Sequence, residues 1–159
     1  IGVIHMKRSE KAKELFKTGL NCSQSVVAAF ADELGLSKNQ AAKLSCGLGG
    51  GVGRQREVCG AVCGAAIVLG FFFGGEDGKD KMSAYSAVQQ FSEEFKKQNR
   101  SIICRELLGL SEKEKIVPSP EARTEAYYKK RPCAELVGDA ASITEKILFE
   151  NGFLGEKNA

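Results

Sequence analysis

Histidine, tryptophan and proline are among the scarce residues of this 159-residue sequence, which holds one His, no Trp and three Pro. The single histidine, His5, sits in an opening Ile-Gly-Val-Ile-His-Met that reads as an expression remnant ahead of a native start at Met6. Setting residues 1–6 aside leaves no imidazole, the commonest general base and metal ligand. Serine triads and His-containing zinc sites are thereby excluded. Charge of one sign is also in short supply. The formal net charge is only +3, with both signs interspersed, which argues against a nucleic-acid partner or attraction to a membrane surface. Long hydrophobic runs are missing as well. The longest, Ala61 to Phe73, covers 13 residues and is interrupted by Gly64 and Gly70, whereas a membrane-spanning helix needs roughly 20. It reads as a buried core helix, and no membrane span is expected. No basic start leads into an apolar run as in a secretory signal, so the sequence predicts a cytoplasmic location with reduced thiols.

What is present suits one packed domain. Hydrophobic residues make up 43% of the chain, enough to build a core without covalent staples. Apolar residues recur at helical spacing. Ser9 is the expected cap of a first helix carrying Ala12, Leu15 and Phe16, with Gly19 as its terminator. Asn21 and Gln24 resemble a capping box ahead of Val26, Val27, Phe30 and Leu34, and Gly35 closes that element. A third helix runs from Ser37 to about Cys46. The fourth starts near Val58 and carries small residues at every turn. Tyr85, Val88, Phe91 and Phe95 mark the inward face of a fifth over 83–98. A short helix covers 102–108, the polar stretch 111–126 is a surface excursion with a short helical piece, and a last helix from Pro132 places Leu136, Ala140, Ile143, Ile147 and Leu148 on one side. No segment alternates at period two. The expected fold is all-α: one bundle of six or seven helices over residues 7–152, a glycine-rich loop at 47–53 before the central helix, and a tail at 153–159.

The six cysteines are the residues with chemistry to offer. Cys22 follows the cap Asn21, Cys59 falls in the first turn after the glycine loop, Cys104 lies three residues past Ser101, and Cys133 follows Pro132, a residue favoured at helix starts. Unpaired N–H groups and the positive end of the dipole at a helix start favour thiolate over thiol. Thiolate is both the redox nucleophile and the metal ligand. The neighbouring Arg54, Arg56, Arg105 and Arg131 either add to that effect or form a solvated face. Cys46, at a helix C-terminus, is expected to be a small buried residue. Cys63, one turn beyond Cys59, is oriented to face a third thiol or share a metal rather than to pair with Cys59. The loop does not match a dinucleotide or P-loop pattern, so no nucleotide is expected. Its bare backbone at Gly49, Gly50 and Gly51 suits close approach to a thiolate or cluster. Glu57, Glu106 and Tyr85 read as solvated or core residues.

Together, Asn-Cys22-Ser-Gln-Ser, Gly49-Gly-Gly, Cys59-Gly-Ala-Val-Cys-Gly-Ala-Ala, Cys104-Arg-Glu-Leu-Leu-Gly and Pro-Cys133 resemble the C-GCAxxG-C-C family of redox-active proteins over roughly residues 8–150. The resemblance implies that Cys22, Cys59, Cys104 and Cys133 are the four family-defining cysteines, and leaves Cys46 and Cys63 outside that set. It also implies relatives in which the domain adjoins cytochrome-like regions with an iron–sulfur centre. This chain has no C-x-x-C-H haem attachment motif, so haem is not expected.

Three functions follow. The first is thiol redox or electron transfer by those four cysteines with a redox partner protein. The second is an iron–sulfur or other metal centre held by the same four thiolates. In the third, the cysteines only pack, and the small-residue helix over 59–70 forms a homodimer face. Whether the chain turns over a substrate is left open.

Overall fold

The computed structural model describes residues 7–155; residues 1–6, read above as an expression remnant, and the last four residues of the tail lie outside them. Among the described residues the chain is all-α, with nine α-helices and no strand. They are α1 (Arg8–Lys17), α2 (Cys22–Ala29), α3 (Ala31–Leu34), α4 (Lys38–Ser45), α5 (Gly60–Phe73), α6 (Lys81–Asn99), α7 (Cys104–Leu107), α8 (Glu125–Lys130) and α9 (Cys133–Glu150).

Three of the longer helices carry the core. Along α9, Leu136, Ala140, Ile143, Ile147 and Leu148 are all buried, as their spacing predicts. They face α1, α2, α5 and α6. In α5 the small residues Gly60, Ala61, Gly64 and Ala65 are buried. A Cβ on Gly64 would lie 2.9 Å from the Ser23 carbonyl oxygen and 3.1 Å from Val26 Cβ, so the missing side chain lets α2 press against α5. That face is occupied within the chain. The α6 face is filled by Ala87, Phe91 and Phe95, with the two rings stacked at 5.7 Å.

Several local expectations are corrected. Ser9 lies inside α1, whose cap is Lys7 without a side-chain bond. The helix expected to run from Asn21 to Leu34 breaks at Phe30 (φ −107°, ψ 14°), which divides it into α2 and α3. Tyr85 points outward, 62% exposed, and Ala87 takes the inward position. The short helical piece expected in the polar excursion is α8, which begins at the end of that stretch and runs past it, started by Thr124, whose side chain accepts from the Tyr127 amide. These divisions, not a different architecture, raise the helix number above six or seven.

Candidate functional site

The starts of α2, α5, α7 and α9 converge at one end of the bundle. Asn21 fixes the first of them. Its side chain accepts from the Gln24 amide at 2.9 Å, and Gln24 returns the bond to the Asn21 amide at 2.9 Å, completing the capping box. Asn21 Nδ2 also donates to the Cys46 carbonyl at 2.9 Å, and Ser23 Oγ donates to the Ser45 carbonyl at 2.7 Å. The start of α2 is thereby tied to the end of α4, and Cys22 is left at the first helical position.

The chain from α4 to α5 then takes an unusual path. Residues 50–54 all have positive φ, including the non-glycines Val52 (61°) and Arg54 (59°), and Arg56 follows at 63°. Such a run is a left-handed turn, a conformation that costs L-residues on the order of 1 kcal/mol or more each. Long-reach backbone bonds hold it closed: Gly53 donates to the Gly47 carbonyl at 2.8 Å and Glu57 to the Gly51 carbonyl at 2.9 Å. Beyond the turn, Val58 pairs with Ile103 in an isolated antiparallel bridge. Cys59 donates its amide to Ile102 at 2.8 Å and Cys104 to Glu57 at 2.7 Å. Two cysteines far apart in sequence are thus clasped through their own backbones.

Bare backbone is required beside the sulfurs. A Cβ on Gly60 would collide with Cys22 Sγ and stand 3.0 Å from the Leu48 carbonyl oxygen; one on Gly51 would come within 2.7 Å of Cys104 Cβ. The result is a cavity of about 530 Å³ lined by Cys22, Cys59, Cys104 and Cys133. Cys59 is the N-cap of α5, while Cys104 and Cys133 open α7 and α9. All six cysteines are free thiols.

Electrostatics correct one expectation. Helix starts were expected to favour thiolates, but at Cys59, Cys104 and Cys133 burial dominates. It pushes the Cys59 thiol well up, the Cys22 sulfur adds to the rise, and the Ala61 and Val62 amides oppose it without prevailing. Cys133 is pushed up to about 12 by burial and by Cys22 and Cys104, against the weaker pull of Arg131 and Arg123. Cys104 is raised by burial, partly offset by Arg56, whose Nη1 donates to its Sγ at 3.7 Å. Cys22 repels the anions of Cys59, Cys63, Cys104 and Cys133 alike. It is the hub of the set.

Gly49 and Gly50 line the same cavity, and Gly51 is buried behind Cys104. Cys63 is half-buried and outside the lining, its Sγ 3.8 Å from the Val58 carbonyl oxygen. Cys46, expected to be buried, is exposed at the cavity rim. Glu106 bonds Ser101, and Arg105 donates to the Ser111 carbonyl at 2.8 Å. Among the described residues no three Cys, His, Asp or Glu side chains converge closely enough to hold one metal ion. Sequence reasoning missed Arg123 and Tyr127, both in the lining. The available signal was the pairing of a cation with Tyr127 and Tyr128 at the end of the polar excursion: the Arg123 guanidinium lies 4.3 Å above the Phe16 ring and 4.9 Å from that of Tyr127.

Comparison with known proteins agrees with the motif reading. A family model described as "Putative redox-active protein (C_GCAxxG_C_C)" matches residues 20–147, and the chain belongs to that family. No curated protein and no solved structure matches it.

Proposed function

From membership in that redox-active family, we propose that this protein exchanges electrons through the thiols of Cys22, Cys59, Cys104 and Cys133. The observation that carries the reading is their meeting around one cavity with Cys22 at the hub. Cys22 is half-buried and Cys59 buried. The more accessible sulfur therefore serves as the attacking group and the buried one as the resolving group. The Cys22 thiolate attacks a partner disulfide, forming a mixed disulfide and releasing one partner thiol. Cys59 then attacks the Cys22 sulfur, closes a Cys22–Cys59 disulfide and releases the second partner thiol. Two electrons pass to the partner, and the two cysteine protons leave with its sulfurs. Forming the mixed disulfide removes the Cys22 charge that helps raise Cys59, and the partner thiolate released in the first step takes the Cys59 proton as that sulfur attacks. Cys104 and Cys133 form a second dithiol store at the same cavity, and a reducing cytoplasm would return both to thiols.

Thiol trapping with mass spectrometry tests this. At least one reversible disulfide among the four is expected at potentials between about −300 and −150 mV; none across that range refutes dithiol chemistry.

The donor set and the size of the cavity favour a second reading. A single ion does not fit, because no three ligands converge among the described residues. A polynuclear iron–sulfur cluster takes terminal thiolates spread around it, and Cys22, Cys59, Cys104 and Cys133 all line one cavity of about 530 Å³. Such a cluster would supply one-electron transfer. Anaerobic purification would then give brown protein with iron and acid-labile sulfide, whereas colourless, iron-free protein with reversible disulfides would leave the dithiol reading alone.

A further inference from the structure

We propose that the cavity selects small disulfides that carry negative charge, through a guanidinium cradle of Arg54, Arg56, Arg123 and Arg131 set around the thiols. The inference rests on the dithiol reading and adds a substrate class to it.

The charged side chains of the lining are these four arginines and one acid, Glu121. Glu121 is taken by Arg131, with Nη2 at 3.2 Å. No carboxylate pairs with the other three among the described residues. Arg54 donates to the Val117 carbonyl at 2.9 Å and to that of Ser119. Arg123 donates to the Phe16 and Leu20 carbonyls, each at 3.1 Å, and lies over aromatic rings. Arg56 donates to the Cys104 sulfur. Carbonyls and rings orient these guanidinium groups without neutralising them. Each has five N–H donors, so donors remain for a ligand carboxylate, which a guanidinium can take in bidentate fashion. The half-buried Arg8 elsewhere in the chain looks different: it is matched by both Glu33 and Glu145.

Size and access point to a small molecule. A volume of about 530 Å³ falls in the usual range for such ligands, roughly 300–1,000 Å³. Cys59 and Cys104 are only 5% and 7% exposed, so the half-buried Cys22 is the sulfur an incoming disulfide meets first, and the rest of the ligand occupies the cavity beside it. The reaction is balanced without another reagent. Cys22 displaces one thiolate from the anionic disulfide, Cys59 displaces the second by attacking Cys22, and two carboxylate-bearing thiols leave with the two protons as the protein disulfide closes.

The test uses the reduced full chain at low ionic strength with three disulfides: 3,3′-dithiodipropionate (dianionic), bis(2-hydroxyethyl) disulfide (neutral) and cystamine (dicationic). Each rate is divided by that of dithiothreitol with the same disulfide to remove intrinsic reactivity. The normalised rate for the dianion should exceed that for the dication by at least about tenfold. Arg54→Gln should lower this ratio about threefold, Glu121→Gln should raise it by a similar factor, and about 0.5 M salt should compress it. Equal normalised rates, or a ratio that neither variant moves, overturn the cradle and leave the dithiol reading standing. If none of the three disulfides oxidises any of the four cysteines, the dithiol reading fails and the substrate inference falls with it.

Discussion

The two ends of α5 solve opposite problems with one helix. Its first turns carry Cys59, Gly60, Ala61 and Gly64, where backbone meets backbone and a cavity remains open. Its last turns carry Leu69, Phe71, Phe72 and Phe73. There the Phe72 and Phe73 rings meet Phe153 at 5.5 and 4.8 Å, and Leu69 is fully buried. Space exists at the first end because side chains are absent beside a stiff loop, and it is consumed at the second by rings. The comparison teaches that stability and chemistry are separated along a single element.

The sharpest way to break that comparison is to truncate one residue at each end. Leu69→Ala should cost about 2–5 kcal/mol, read as a fall in the urea midpoint, with cysteine oxidation in the surviving folded fraction unchanged. Cys59→Ala should cost much less stability and abolish the Cys22–Cys59 disulfide in thiol trapping. Equal stability losses would show that the site end is packed like the core.

Alkaline pH should separate the two ends next. Cys133 binds its proton more tightly in the folded state, at about 12 against an ordinary 9.0, because burial and neighbouring sulfurs disfavour its anion. Between those values the folded state holds more protons than the unfolded one, so stability is full below about pH 9 and falls as pH rises toward 12. The loss from this group is on the order of a few kcal/mol. Cys133→Ser should flatten the decline, whereas Leu69→Ala should shift the whole curve down without changing its slope. A wild-type curve flat to pH 11 would remove the claim of buried, mutually repelling thiols.

How far the sequence foretold each end follows the same division. The buried face of α9 was legible because apolar side chains filling a core must recur at helical spacing, as Leu136, Ala140, Ile143 and Ile147 do. The cap at Asn21 was legible because its partner Gln24 is three residues away. All four site cysteines could be placed near helix starts on local signals alone. Tyr85 could not be oriented from spacing, since Ala87 on a neighbouring row turned out to meet the core. The break at Phe30 has no local breaker residue. The proton affinities of Cys59 and Cys133 depend on burial and on sulfurs brought in from distant segments, which no single-helix dipole argument contains. Arg123 offered only the local hint of Tyr127 and Tyr128, because the carbonyls that orient it, on Phe16 and Leu20, lie more than a hundred residues away.

Smaller effects test the loop that keeps the site open. Gly60→Ala would put a methyl group into Cys22 Sγ and the Leu48 carbonyl, at a cost of about 1–3 kcal/mol. Oxidation of Cys22 should slow in parallel, as trapping kinetics would show; loss of stability without slowing would mean that the sulfur is free to swing aside. The smallest change has the opposite sign. Val52 holds a β-branched side chain at φ 61°, so Val52→Gly should gain about 0.5–1 kcal/mol in denaturant melts.

The bridge between Val58 and Ile103 has a consequence for mechanics. The chain leaves the site along α5 and comes back through α6 to the same doorway, where backbone bonds from Cys59 and Cys104 fasten both jambs. Everything between them, including the turn at 74–80, is a closed excursion. The spacing of the Cys59 and Cys104 backbones is therefore set by bonds at the doorway itself and not by the length or packing of the chain that loops out between them.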